Sequence, residues 1–116
     1  MIKIYHNNRC RKSREALNFL IDNNIKHTVI EYLKNPISKQ TLINLLDKLN
    51  YKPENILRKN EKIWKENFKD KNDFSKENLI DILIKYPKLI QRPIVEDDKY
   101  AVIARPIDNL KEFFNK

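Results

Sequence analysis

No glycine occurs anywhere in this chain of 116 residues. At the usual frequency of about 7%, roughly eight are expected. Glycine serves wherever the backbone needs positive φ or must approach a ligand closely. Its absence therefore removes whole classes of site. Neither the dinucleotide-binding fingerprint nor the Walker A loop can be written without glycine, and the EF-hand loop and GxxxG helix-pairing motif go with them. An anion pocket in such a chain must rely on a helix N-terminus and cationic side chains. Helix ends must be closed by another residue, and asparagine is the one that also tolerates the left-handed conformation.

The length is that of one domain spanning 1–116, able to bury roughly 65% of its unfolded surface without disulfides or metal staples. No apolar run approaches the ~20 residues of a membrane span. The segment from Met1 to Tyr5 turns polar too soon for a secretory signal. A single cysteine, Cys10, can form neither an internal disulfide nor a multi-cysteine metal site, and it suits a reducing cytoplasm. The net charge is +8, which attracts nucleic acid or a small anion. The lysines, however, are interspersed with acids along the whole chain, beside abundant Asn and Ile and little Ala. That is the codon bias of an AT-rich genome on a solvated surface. With no helix-turn-helix signal and no aromatic stacking platform, no nucleic-acid partner is expected. The six arginines are placed differently: Arg9, Arg11 and Arg14 surround Cys10, Arg58 stands alone, and Arg92 and Arg105 each precede proline.

Alternation at 2–5 predicts a strand. Ala16, Leu17, Leu20 and Ile21 share one face of a helix from Arg11 to about Asn23. Residues 27–32 read as a second strand. Ser38 caps a helix to Leu49, with Leu42, Leu45, Leu46 and Leu49 as its stripe, and Asn50 stands at its end. Pro53 to Leu57 is a short helical turn. Residues 61–72 predict a charged helix anchored by Ile63, Trp64 and Phe68. Ser75 caps another helix that runs to Tyr86 and is stopped by Pro87. Ile94–Val95 and Tyr100–Ile103 read as strands joined by a turn at 96–99, and 107–114 as a closing helix. The order β-α-β, helices, β-β-α predicts an α/β fold. A mixed four-stranded sheet is flanked by helices, its first half paired in parallel through a helical crossover.

His6-Asn-Asn-Arg-Cys-Arg-Lys-Ser-Arg14 carries the chemistry. Cys10 precedes a helix, so its sulfur can face free N–H groups and the positive end of the dipole. The helix end and the surrounding cations favour thiolate over thiol. Ser13 makes a Cys-x-x-Ser, where a dithiol oxidoreductase would carry its second cysteine. Any redox cycle must therefore draw its second thiol from outside. Ser13 is also placed to donate a hydrogen bond to the sulfur, and Arg14 crowds the same turn. His6, at the end of the first strand, can stabilise the thiolate or orient the loop.

The blocks YHNNRCRKSREAL, EYLKNP, ILRKN, LIDILIKYPKLIQRPIV and AVIARP, in this order over nearly the whole chain, resemble the glutaredoxin-linked arsenate reductase family. The resemblance implies a thioredoxin-like fold with a helical insertion. It implies that Cys10 attacks arsenate and that Arg58, Arg92 and Arg105 bind the oxyanion and stabilise the thiolate. It places Pro93 at the cis-proline that faces the cysteine in such folds. It implies glutathione as co-substrate, glutaredoxin as partner, and no bound metal or organic cofactor. A cytoplasmic monomer is expected. Asn8 stands where many members carry proline, and Arg11 where a small residue is common. Two other readings share the thiol chemistry. One is a glutathione-dependent oxidoreductase with another substrate. The other is a redox-sensing transcription regulator of the same superfamily that binds RNA polymerase, although such regulators usually carry Cys-x-x-Cys.

Overall fold

The alternating segment at the N-terminus becomes an inner strand of the sheet. The computed structural model describes residues 1–69 and 74–115. Its elements run β1 (Ile2–Tyr5), α1 (Arg11–Asp22), β2 (His27–Ile30), α2 (Lys39–Leu49), a 3-10 turn (Pro53–Ile56), α3 (Lys62–Asn67), α4 (Lys76–Lys85), a second 3-10 turn (Pro87–Leu89), β3 (Ile94–Glu96), β4 (Ala101–Ile103) and α5 (Ile107–Phe114). They fall into two compact units. Met1–Asn35 joins the segment from Arg92 onward, and Pro36–Gln91 is inserted between them.

The first unit holds a mixed sheet in the order β2-β1-β3-β4. β1 and β2 are parallel, joined through α1, while β3 runs antiparallel to both β1 and β4. On one face, Ile4 and its neighbour Val95 pack with Ala16 and Leu20 of α1, with Ala104, and with Leu110 of α5. All six are buried to within about 1%. Each such aliphatic residue contributes about 1.5–3 kcal/mol when fully buried, somewhat less for the alanines. The period of 3.6 in α1 and of 2 in β1 meet at this core.

Within the sheet, two features differ from the sequence expectation. Glu96, assigned to the hairpin turn, is instead the last residue of β3 and is buried. The Tyr5 hydroxyl donates to its carboxyl group on the face away from Ile4, satisfying a buried polar group that would be costly unpaired. The turn moves to 97–100. There the Asp97 side chain accepts from the N–H groups of Lys99 (2.8 Å) and Tyr100 (2.6 Å), an Asx turn that closes the hairpin without glycine. The second strand also ends early, at Ile30, because the chain turns at Glu31, whose carbonyl accepts from Lys34 and Asn35.

Asparagine takes the left-handed positions after α1 and at the end of α2. Asn24 and Asn50 are the positive-φ residues of the described chain, at 56° and 59°. Asn50 is the left-handed C-cap of α2. Ser38 and Ser75 accept from the backbone N–H groups of Thr41 and Asn78, each at 3.1 Å, as N-caps do.

In the second unit α2 packs on α4, and Leu42, Leu45, Leu46, Leu79, Ile80 and Leu83 are buried. Trp64, Phe68, Phe74 and Tyr86 form an aromatic cluster with ring centroids 5.2–6.1 Å apart. The charged helix is shorter than the 61–72 expected. It ends at Asn67, and 70–72 lie outside the described residues. Among the described residues no helix is long and apolar enough to cross a membrane.

Candidate active site

Strand register assembles the site within the first unit. β3 and β4 pair Ile94 with Ile103. Arg92 lies two residues before β3 and Arg105 two residues after β4, at the same end of the hairpin. The bond from Ala104 N–H to the Pro93 carbonyl (2.9 Å) carries the pairing across that step. β1 pairs Tyr5 with Ile94, so the chain leaves β1 toward Cys10 at the same end of the sheet. Both Arg–Pro peptides, Arg92–Pro93 and Arg105–Pro106, are cis. The first was expected from the family resemblance; the second had no signal in the sequence. Asn109 of α5 donates to the carbonyls of Ile103 and Arg105, each at 3.2 Å, and fixes the backbone behind Arg105.

Cys10 is the N-cap residue of α1, with extended backbone. Its N–H bonds the Asn7 carbonyl at 3.0 Å and its carbonyl accepts from Arg14 N–H at 3.0 Å. The residue is half-buried and free of any disulfide. Arg105 Nη1 stands 4.0 Å from its sulfur. Burial pushes the thiol pKa up. It is outweighed by the Ser13 backbone N–H, the Arg92 guanidinium, through both a hydrogen bond and its charge, and the Lys12 backbone N–H. The net result lies below the usual thiol value. The sulfur thus sits among donors that favour the thiolate.

The remaining loop residues hold this geometry. The Ser13 hydroxyl is buried, pairs with His6 Nδ1 at 2.7 Å and accepts from Asn7 N–H at 3.0 Å. Ser13 therefore reaches Cys10 through its main chain, while its side chain ties the loop to the end of β1. His6 N–H also bonds the Ile30 carbonyl at 2.9 Å. Burial holds the His6 pKa below its ordinary value, aided by Arg14 and opposed by Glu31 and Ser13. The imidazole is therefore mainly neutral near pH 7. Arg14 Nη1 donates to the Asn8 carbonyl at 3.0 Å and braces the loop from outside. Asn7 carries three loop bonds, the third from Arg9 N–H to its Oδ1 at 3.1 Å. Nothing in the residue pattern had singled Asn7 out.

Arg58 belongs to the second unit. Its Nη1 donates to Gln91 Oε1 at 3.2 Å and its Nη2 pairs with Glu61 at 3.3 Å. Its N–H bonds the Leu89 carbonyl at 2.7 Å, beside the bridge between Leu57 and Ile90. Among the described residues no group of three or more His, Cys, Asp or Glu side chains is arranged to hold a metal ion.

A mixed four-stranded sheet with a cysteine at the first strand–helix junction, and a cis-proline just ahead of β3, defines a thioredoxin-like fold. The comparisons carry this further. The model of the ArsC family matches residues 5–113, and the chain belongs to that family. It is 39% identical over 112 residues to the uncharacterised Escherichia coli protein YfgD, covering 96% of this chain and 94% of that one. It is 32% identical over 111 residues to an arsenate reductase of Neisseria meningitidis, covering 95% of each. The structure of an arsenate reductase from Vibrio cholerae superposes with a TM-score of 0.88 at 34% identity, over 95% of each chain.

Proposed function

We propose that this chain is an arsenate reductase that draws its electrons from glutathione and glutaredoxin, with Cys10 as nucleophile. The observation that carries the reading is the half-buried sulfur at the N-terminus of α1 with the Arg105 guanidinium 4.0 Å away, and the charge of Arg92 also acts to lower its pKa. A nucleophile set in an anion site attacks an oxyanion, and guanidinium forks match the oxygens of a tetrahedral one. Relatives at 32–35% identity bear the name arsenate reductase.

In this reading the Cys10 thiolate attacks arsenic(V) and displaces one oxygen as water. Arg92 and Arg105 spread the charge of the remaining oxygens. Glutathione then adds to the arsenic, displacing a second oxygen as water, and the glutaredoxin thiolate takes the glutathione sulfur as a mixed disulfide. The two electrons released in forming that disulfide reduce arsenic(V) to arsenic(III). Water then cleaves the Cys10 sulfur–arsenic bond, releasing arsenite and restoring the Cys10 thiolate. Ser13 at the resolving position supports a cycle fed by external thiols. Family resemblance adds Arg58 as a third guanidinium. No cofactor is bound in this scheme, and a cytoplasmic monomer is its natural setting.

The test is a coupled assay holding the protein, glutathione, glutaredoxin, glutathione reductase and NADPH. Arsenate-dependent NADPH oxidation is expected, and Cys10→Ser abolishes it. Arg58→Ala should raise the KM for arsenate if the third guanidinium takes part. Turnover with other oxidised substrates but none with arsenate assigns the chain to a different thiol reductase. Capture of RNA polymerase without turnover assigns it to the regulators.

A further inference from the structure

We infer that Arg9 and Arg11 select a small carboxylate-bearing thiol as the second reactant at Cys10. The inference rests on the proposal that an external thiol meets an adduct on this cysteine. The two arginines flank Cys10 directly, each Cα about 3.8 Å from that of the cysteine. Both are exposed. The other arginines of this unit are engaged: Arg14 on the Asn8 carbonyl, Arg92 and Arg105 at the sulfur. Arg9 and Arg11, by contrast, make no side-chain hydrogen bond and no ion pair among the described residues.

The charge of Arg11 works against its helix rather than for it. Arg11 is the first residue of α1, and the first turn of that helix carries no acidic residue. A cation there opposes the macrodipole. From Asn7 to Ala16 the chain carries Arg9, Arg11, Lys12 and Arg14 against a single acid, Glu15, so the charge around the sulfur is not neutralised locally. The half-buried Arg92 and Arg105 can serve an anion already seated at Cys10. Exposed guanidiniums on either side of it meet a reactant arriving from solvent. Their planar forks suit carboxylates, and at low salt their charge attracts an approaching anion from several ångströms away.

The selection can be read without arsenate. Cys10 is first converted to its mixed disulfide with the neutral 4-thiopyridyl group. An incoming thiolate attacks the Cys10 sulfur, a new sulfur–sulfur bond forms, and thiopyridone leaves with the electron pair and is followed by absorbance. Mercaptosuccinate, mercaptoethanol and cysteamine supply a doubly carboxylated, a neutral and a cationic thiol, and rate constants are compared per thiolate. At low salt, mercaptosuccinate should exceed mercaptoethanol by about two- to fivefold, with cysteamine slowest, and the advantage should shrink toward unity at high salt. The Arg9→Gln/Arg11→Gln variant should cut the mercaptosuccinate-to-mercaptoethanol ratio about twofold or more. Lys26→Gln/Lys111→Gln removes two exposed cations elsewhere on this unit and should leave the ratio unchanged. Wild-type protein without the preference, or an arginine variant that keeps the wild-type ratio, overturns the inference. Since no arsenate is present, that outcome leaves the arsenate reading standing, and a chain inert toward arsenate can still show the selection.

Discussion

Single residues hold the Cys10 loop by satisfying one another. The Ser13 hydroxyl pairs with His6 Nδ1 and accepts from Asn7 N–H, and all of this is buried or nearly so. Ser13→Ala leaves two buried polar groups without that partner, a loss of about 1–3 kcal/mol. Urea unfolding should show it as a lower midpoint with an unchanged slope. The same variant keeps its backbone N–H at the sulfur, so its Cys10 pKa should move less than in the arginine variants. A Cys10 pKa that rises in Ser13→Ala as far as in Arg92→Ala would show that the hydroxyl, rather than the main chain, stabilises the thiolate.

At the scale of elements, the missing glycines are answered one by one. Asn50 closes α2 at φ 59°. There alanine should cost about 1–2 kcal/mol relative to glycine, because a β-carbon is disfavoured in the left-handed region. Comparing Asn50→Ala with Asn50→Gly by thermal unfolding checks this, with the alanine variant less stable. Such ends were legible in the sequence, since asparagine is the usual substitute at a C-cap. So was the place of Cys10 at the N-terminus of α1, because the apolar period of 3.6 begins directly after it. Glu96 was not legible. A charged residue beside Asp97 and Asp98 reads as turn, and its partner Tyr5 lies 91 residues away in sequence. The second cis peptide, at Arg105–Pro106, had no local signal either. For Ser13 the sequence indicated proximity to Cys10 but not which atom makes the contact, because that depends on the path of the loop off β1.

Across the whole molecule, the pKa shifts bound the pH range of stability. His6 has a lowered pKa because it is buried. The unfolded chain therefore takes its proton first as pH falls, and stability declines below about pH 6.5. His6→Gln should flatten that acid limb. Tyr5 is shifted upward, by burial and then by Glu96. The unfolded phenol ionises first, so stability also declines above about pH 10, and Tyr5→Phe should remove that limb. Cys10, with its pKa lowered, contributes stability that is full above the ordinary thiol pKa and is lost as pH falls through its own. This last term belongs to the site, which exists only because strand register brings Arg92 and Arg105, distant in sequence, to the sulfur. The most direct measurement is therefore the thiolate titration of Cys10 by ultraviolet absorbance in the wild-type protein and in Arg92→Ala and Arg105→Ala. The expected result is a wild-type pKa below about 8.5 that rises in each variant. A wild-type Cys10 that titrates as an ordinary thiol, with no change in either variant, would contradict the assignment of this cysteine and these arginines to one site.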